Sequence, residues 1–183
     1  MKSLIYLAPG FVDFEISILT YCLSHCNSDI ITIASATDKE GVTSVGGLRV
    51  MPHAVVGDVQ AEEYDLLVIP GGNYVFDVKE DEEILGLIRN MHQQNKKLAA
   101  ICGGPLLLEK AGILTDKRYT TSVDDIKLQE AFTDQDVTVD GNIITAKGGA
   151  YVEFAVEVTK QLNLFIDEAD ELETIQYFKN LTK

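Results

Sequence analysis

The fold class follows from one stretch of the chain, Lys97-Leu98-Ala99-Ala100-Ile101-Cys102-Gly103-Gly104-Pro105-Leu106-Leu107-Leu108. Its apolar run from Leu98 to Ile101 is typical of a central strand that is buried on both faces of a parallel sheet. Two glycines then permit a tight turn, and Pro105 suits the first position of a helix, where its missing N–H costs nothing. The stretch therefore predicts a strand, a sharp turn and a helix, with Cys102 at the bend.

At that bend, Cys102 would lie at the carboxyl end of a strand and face the amino end of the next helix. The helix dipole and its free N–H groups favour a thiolate, which is the nucleophilic form of cysteine. The arrangement parallels the strand–nucleophile–helix elbow of the hydrolases, with Ala100 and Gly104 at its small flanking positions. The alternative is an inert core cysteine, because free cysteine is among the most buried residue types.

Composition and charge narrow the class of protein. The chain has 183 residues, 46% hydrophobic and 24% charged, as in a globular protein, and we expect one domain over residues 1–183, with 167–183 as a C-terminal helix. Fifteen basic against 29 acidic side chains give a net charge of −14. This charge argues against nucleic acid or an anionic membrane surface as a partner.

Cysteine content and the N-terminus bear on location. Three cysteines are too few for a disulfide framework, which suits a reducing compartment. The first apolar run is too short for a signal-peptide core, and no run approaches membrane-spanning length. We therefore expect a soluble cytoplasmic protein.

Hydrophobic patterning predicts strands that alternate with helices. The predicted strands are residues 3–8, 30–34, 66–69, 98–101 and 118–121, with hairpins at 42–51 and 137–145. The predicted helices are residues 13–26, 81–94, 124–131, 150–162 and 167–181, and one from Pro105 that Gly112 stops. Apolar strands in this order predict an α/β fold, with a mostly parallel central sheet, helices on both faces and a small β-hairpin.

Ligands in such folds bind beyond the carboxyl ends of the strands. The Pro9-Gly10 turn, the Gly71-Gly72 turn and Cys102 each follow a predicted strand, and this shared position favours a functional cysteine. Glu15 falls in the first turn of the helix after the first strand. Either it favours the helix N-terminus as many carboxylates do, or it reaches across the strand ends to Cys102.

Cofactor and metal signatures are absent from the sequence. No Gly-x-Gly-x-x-Gly follows the first strand and no phosphate-binding loop occurs, so we expect no nucleotide cofactor. Cys22, His25 and Cys26 cluster on one predicted helix, but a fourth ligand is not evident, and core packing is the favoured interpretation of the two cysteines. We expect no metal site.

Several motifs, in order, resemble those of the ThiJ/PfpI superfamily, which has a class I glutamine amidotransferase-like fold. The resemblance extends from residue 3 to about residue 163. The matching segments are Pro9-Gly10-Phe11 through Glu15, Asp65 through Asn73, Ala99 through Pro105, Thr120-Thr121, and Asp140 through Thr145.

The resemblance implies a flavodoxin-like three-layer sandwich, a homodimer, and a reactive cysteine that matches Cys102. It further implies that Glu15 is protonated and hydrogen-bonds the cysteine sulfur, which would lower the pKa of the cysteine. The backbone N–H groups of Gly72 and Gly103 would form a hole for a developing oxyanion or for an oxidised sulfur.

The sequence departs from the superfamily at two positions. Ser122 stands after Thr120-Thr121, where many members have a histidine, and Gly103 follows Cys102, where the protease-like branch has one. A cysteine hydrolase normally needs such a base, so we do not expect peptidase activity. Asn73 and Ser122, with Asp124 or Asp125, are possible pocket residues, and a loop and capping role is the alternative for the polar cluster after Thr121.

The first functional hypothesis is a cysteine-dependent enzyme that acts on small electrophiles such as dicarbonyls, in the manner of a glyoxalase, deglycase or hydrolase. Cys102 would be the nucleophile and Glu15 the proton shuttle. The second is a non-enzymatic oxidative-stress sensor or chaperone that works through oxidation of Cys102. The third is a catalytically idle fold that serves as a binding or dimer module.

Overall fold

The computed structural model describes residues 1–179, which contain nine strands and six α-helices. The strands are β1 (Lys2–Tyr6), β2 (Asp29–Ala34), β3 (Val42–Thr43), β4 (Arg49–Val50), β5 (Ala54–Val55), β6 (Leu66–Ile69), β7 (Lys97–Ile101), β8 (Val137–Asp140) and β9 (Ile143–Ala146). The helices are α1 (Phe14–His25), α2 (Val75–Val78), α3 (Glu82–Gln93), α4 (Pro105–Lys110), α5 (Tyr151–Gln161) and α6 (Glu168–Phe178).

Within these residues, seven strands form one sheet in the order β5-β2-β1-β6-β7-β9-β8. Every pairing is parallel except that of β8 with β9, and β3 and β4 form a separate antiparallel pair. Helices α1, α5 and α6 pack together, and α3 packs on α4 and β7. The predicted α/β fold with a mostly parallel sheet and a small hairpin is confirmed.

The core is built on the central strands of the sheet. Every residue of Leu66–Ile69 and of Leu98–Ile101 is fully buried. These strands have no polar position because helices or loops cover both of their faces, as the uninterrupted apolar runs predict. Strand β7 lies between β6 and β9, so the residue that follows it emerges near the middle of the sheet edge.

Two predicted elements between α4 and β8 are wrong. The strand predicted at 118–121 is reduced to an isolated bridge between Tyr119 and Phe132, because the Thr120 N–H donates to the Thr145 side chain instead of to a strand. The helix predicted at 124–131 is only a 3₁₀ turn at Asp124–Ile126. Leu128 is 94% exposed and only Ile126 of this segment is buried, which is too little apolar surface to hold a helix in place.

The last helix, α6, begins after Asp167, whose carboxylate accepts hydrogen bonds from the Ala169 and Asp170 N–H groups. It packs on α5, and the Phe178 ring contacts the Tyr21 ring of α1 edge-on. The rest of the C-terminal helix predicted over 167–183, from residue 180 onward, lies outside the described residues. None of the described helices is both long and apolar enough to cross a membrane.

The turn between β7 and α4 depends on a residue without a side chain. A Cβ at Gly104 would collide with the Ile69 carbonyl oxygen and lie 3.1 Å from the Ile101 carbonyl oxygen. A Cβ at Gly86, inside α3, would meet open space. We therefore expect Gly104→Ala to lower the free energy of unfolding by about 2 kcal/mol. Gly86→Ala is the control and should raise it by up to about 1 kcal/mol.

Urea unfolding of both variants and the wild type measures these changes. Equal unfolding midpoints for Gly104→Ala and the wild type would show that the turn does not require glycine.

Candidate active site

A cavity of about 680 Å³ opens at the edge of the sheet where the parallel strands end. Loops that follow β1, β6 and β7 line it, together with the segment after Thr121. The predicted site residues Gly72, Asn73, Cys102, Gly103 and Ser122 are all on its wall. This is the edge at which open α/β sheets bind their ligands.

Cys102 forms a sharp elbow between β7 and α4. Its φ is +60°, in the left-handed region that non-glycine residues seldom adopt. The other non-glycine residues with positive φ within residues 1–179 are three asparagines that follow helices, a residue type that tolerates this conformation. A cysteine in this conformation is strained, and the surrounding structure must hold it in place.

Contacts on both sides hold the elbow in place. The Cys102 N–H donates to the Ala146 carbonyl oxygen at 2.9 Å, and the Cys102 carbonyl oxygen accepts from the Ser122 N–H at 2.9 Å. The same carbonyl oxygen accepts from the Thr121 hydroxyl at 2.9 Å. The Cys102 side chain is therefore fixed at the cavity, where it is only partly buried.

Glu15 reaches the cysteine from the first turn of α1. Its side chain is 2% exposed, and its Oε2 accepts a hydrogen bond from the Gly71 N–H at 2.7 Å. Its carboxyl group also lies against the Cys102 side chain, because a Cβ at Gly71 or at Gly148 would meet both side chains, and each group affects the pKa of the other. The structure thus brings Glu15 and Cys102 together across the strand ends. Of the two alternatives for Glu15, this is the one in which its side chain reaches Cys102.

Two glycines make room for this pair. A Cβ at Gly71 would lie 2.5 Å from the Cys102 Cβ and 2.6 Å from the Glu15 Oε2. A Cβ at Gly148 would lie 3.0 Å from the Cys102 sulfur and 3.0 Å from the Glu15 Oε1. Sequence analysis missed Gly148. The available signal was the glycine pair directly after β9, but its meaning depends on the parallel pairing of β9 with β7.

Burial makes both acids of the pair weaker. It raises the pKa of the Glu15 carboxyl and raises the pKa of the Cys102 thiol to about 11. Glu15 adds to the rise at Cys102, because an ionised carboxylate repels a thiolate, whereas hydrogen bonds from Ser122 and from the Gly103 N–H lower that pKa. Because both groups resist ionisation and lie side by side, the pair holds one negative charge far more readily than two.

The lowered cysteine pKa that the resemblance implies stays a prediction. It requires Glu15 to be protonated, because only then does the carboxyl donate to the sulfur without repelling it. The raised pKa of Glu15 favours that state, whereas burial of the sulfur opposes a low cysteine pKa.

The two glycines predicted to form an anion hole lie side by side on the cavity wall. A Cβ at Gly103 would lie 3.3 Å from the Gly72 carbonyl oxygen. The Gly103 N–H is a hydrogen-bond partner of the Cys102 sulfur, whereas the Gly72 N–H has no acceptor within residues 1–179. Gly72 also has a φ of +136°, and a Cβ there would collide with the Gly10 carbonyl oxygen. Their role as an oxyanion hole stays a prediction.

The histidines and the other cysteines lie elsewhere. Cys22 and Cys26 are unpaired residues of the α1 region, and burial raises the pKa of Cys22 to about 11. The His53 Nδ1 accepts from the Thr32 N–H at 3.0 Å, away from the cavity lining. In the part of the chain that the structure describes, no three His, Cys, Asp or Glu side chains form a group that could hold a metal ion.

The fold and the elbow define a flavodoxin-like α/β protein with a cysteine at the sharp turn between a central strand and the helix after it. The model of the DJ-1/PfpI family matches residues 1–161, and the chain belongs to this family. It is 33% identical to Deglycase TK1284 of Thermococcus kodakarensis over 152 residues. This aligned region covers 80% of this chain and 90% of that protein. It is 29% identical over 168 residues to Protein dj-1beta of Drosophila melanogaster, with 88% and 89% covered.

Solved structures agree with this assignment. The DJ-1 superfamily protein Atu0886 from Agrobacterium tumefaciens matches with a TM-score of 0.85 and 30% sequence identity, over 100% of both chains. The superfamily resemblance read from the motifs is confirmed.

The contact between Glu15 and Cys102 makes a prediction for thiol ionisation. Glu15→Gln keeps a hydrogen-bond donor beside the sulfur and removes the charge that repels a thiolate. Glu15→Leu removes both. We expect the apparent pKa of Cys102 to be about one pH unit lower in the Gln variant than in the Leu variant. This is the effect of one hydrogen bond to a charged sulfur.

The pH dependence of alkylation by iodoacetamide, resolved by residue with mass spectrometry, measures this pKa, and Cys26 is an internal reference. Equal values in the two variants would contradict a hydrogen bond from position 15 to the sulfur.

Proposed function

We propose that the protein is a cysteine-dependent enzyme that acts on small carbonyl electrophiles, in the manner of a glyoxalase or deglycase. Cys102 is the nucleophile and Glu15 the proton shuttle. The observation that carries the proposal is the buried Glu15 carboxyl, which contacts both the Gly71 N–H and the Cys102 side chain at the wall of an open cavity. The name of the relative Deglycase TK1284 supports it.

The proposed chemistry begins with a single addition. The Cys102 thiolate forms a C–S bond to the aldehyde carbon, and the π electrons of the carbonyl move to its oxygen. Glu15, whose raised pKa favours its protonated form, donates a proton to the oxygen and completes a thiohemiacetal. The Gly72 N–H lies on the same wall and is available to the oxygen while its charge develops.

Glu15 then has a second use. As a carboxylate beside the adduct, it can accept the proton from the former aldehyde carbon and return it to the neighbouring carbonyl carbon of a dicarbonyl, while the hydroxyl proton of the thiohemiacetal moves to the oxygen of that neighbouring carbon. The product of that proton transfer is a thioester of a 2-hydroxy acid. Water cleaves the thioester and regenerates the thiol, so the sequence consumes one water and needs no external oxidant or reductant.

This chemistry predicts that activity depends on the pair. Purified protein should consume methylglyoxal and form lactate, and Cys102→Ser and Glu15→Gln should each lower kcat/KM by about a hundredfold or more, since each removes a group that reacts. Cys26→Ser is the control and should retain the wild-type rate. Loss of methylglyoxal is followed as the decrease of its adduct with a carbonyl reagent. A rate that Cys102→Ser leaves unchanged would overturn the proposal.

The charge of the cavity bears on substrate choice. Within residues 1–179 its wall includes the carboxylates of Asp77, Asp124 and Asp125 and no basic side chain. Asp124 is paired with Lys127 at 2.8 Å, which leaves the other two carboxylates to set the local field. A negative wall repels anionic substrates and tolerates neutral or cationic ones. We therefore expect neutral dicarbonyls to be better substrates than aldehydes that carry a carboxylate.

Comparison of methylglyoxal with 4,5-dioxopentanoate, a 2-oxoaldehyde that carries a carboxylate, tests this expectation. The kcat/KM for 4,5-dioxopentanoate should be lower by about tenfold, the effect of a like charge a few ångströms away in a partly screened site. The difference should shrink in 0.5 M salt, roughly the range in which exposed charges are screened. In Asp77→Asn it should shrink as well. Equal use of the two aldehydes at low salt would contradict the electrostatic argument.

Oxidation of Cys102 is the second candidate function. Its support is the exposure of the sulfur at the cavity, in contrast to buried Cys22, together with the Gly103 N–H that would bind a sulfinate oxygen. Selective gain of two oxygens at Cys102 under mild peroxide would favour this role, and equal oxidation of Cys26 would count against it.

A homodimer and a cytoplasmic location belong to the same proposal. The superfamily resemblance supports the dimer, and three unpaired cysteines suit a reducing compartment. A sedimentation mass equal to that of a single 20.1 kDa chain would exclude the dimer.

A further inference from the structure

Ser122 is attached to Cys102 through both its backbone and its side chain. The Ser122 N–H donates to the Cys102 carbonyl oxygen at 2.9 Å. The Ser122 side chain lies close enough to the Cys102 thiol to lower its pKa. On its other side, the Ser122 Oγ accepts a hydrogen bond from the Gly148 N–H at 3.0 Å.

The contact with Gly148 decides the direction of the contact with sulfur. A serine hydroxyl has one proton to donate and two lone pairs to accept. Because the Gly148 N–H occupies a lone pair of the Ser122 Oγ, the oxygen is the acceptor in that bond. The hydroxyl proton stays available for another acceptor, and the Cys102 sulfur, whose pKa Ser122 lowers, is close by. The hydroxyl is thus free to donate to the sulfur.

The loop that presents Ser122 is held on both sides. The Thr121 Oγ1 donates to the Cys102 carbonyl oxygen at 2.9 Å and accepts from the Val123 N–H at 3.1 Å. Thr121 is fully buried, so the residue before Ser122 is fixed in the core although Ser122 itself borders the cavity. A donor held in this way loses little freedom when the sulfur becomes charged.

We propose that Ser122 is a functional residue of this site, whose hydroxyl, oriented by the Gly148 N–H, donates a hydrogen bond to the Cys102 thiolate beside those from Glu15 and the Gly103 N–H. Unlike an imidazole, a hydroxyl keeps its proton across the neutral range, so position 122 contributes a donor at every pH at which the enzyme is folded. The proposal rests on the proposed role of Cys102 as the nucleophile.

Among residues 1–179, few other titratable groups lie near the Cys102 sulfur and affect its ionisation. Glu15 faces it from α1, and Tyr74, from the loop after β6, is buried with a pKa raised well above its usual value, so it stays neutral. Asp77, Asp124 and Asp125 line the same cavity. All five residues are unchanged in the variants used as the test.

The test compares Ser122→Thr with Ser122→Val, two side chains of nearly equal shape that differ in the hydroxyl. The readout is the apparent pKa of Cys102 from the pH dependence of its alkylation by iodoacetamide. We expect the Thr variant to keep the wild-type value within about 0.3 and the Val variant to raise it by about one, as expected for loss of one hydrogen bond to a charged group.

A Val variant with the wild-type value would overturn the proposal, and so would a Thr variant that shifts as far as Val, because the effect would then come from bulk. Circular dichroism and the thermal midpoint check that both fold. Should the Val variant not fold, Ser122→Ala decides in its place, since it keeps the backbone contact of residue 122 with Cys102.

Alkylation needs no turnover, so this outcome is separable from that of the proposed function. If the pKa of Cys102 shifts in the Val variant but the wild type does not consume methylglyoxal, the hydrogen bond from Ser122 is supported and the proposed enzymatic function is rejected. Consumption of methylglyoxal with an unshifted pKa would do the reverse.

Discussion

The structure depends on a buried carboxyl group that joins three segments of the chain. Glu15 lies in the first turn of α1, accepts from the Gly71 N–H after β6, and contacts Cys102 after β7. A buried carboxylate without compensation would cost several kcal/mol, so its raised pKa is the expected response to burial. A proton on this carboxyl would remove the cost of burying its charge, and it is the proton that the proposed chemistry uses.

The sheet topology is what allows this contact. Strands β1, β6 and β7 are parallel neighbours, so the loops after their carboxyl ends meet although they are far apart in the sequence. Strand β9 joins the same edge through its parallel pairing with β7, and it places Gly148 against both members of the pair. Each segment contributes something different: an acid, a backbone N–H, a thiol and the space that a missing side chain leaves.

Sequence patterns predict the buried part of this architecture well. Strand β6 has the predicted bounds, because a strand covered on both faces must be apolar throughout and ends where Pro70 and Gly71 begin. Strand β5 was missed because two residues carry no periodicity. The 124–131 helix was wrong because local propensity does not reveal that Leu128 has nothing to pack against.

Some residues of the candidate site are likewise predictable from the sequence, whereas others are not. The strand–turn–helix pattern around Cys102 and the place of Glu15 after the first strand predict that both lie at the strand ends, but the contacts of Ser122 and Gly148 depend on the pairing of β7 with β9, which is set by tertiary structure. The pKa of Cys102 depends on burial and on the charge of its neighbour, which the sequence does not contain.

The central claim is that Glu15 carries a proton at neutral pH. Infrared difference spectroscopy of the wild type against Glu15→Gln tests it directly, because a protonated carboxyl absorbs apart from ionised carboxylates. The account predicts a carboxylic acid band at pH 7 that the Gln variant lacks and that weakens only at higher pH. A spectrum at pH 7 with a carboxylate band in its place would contradict it.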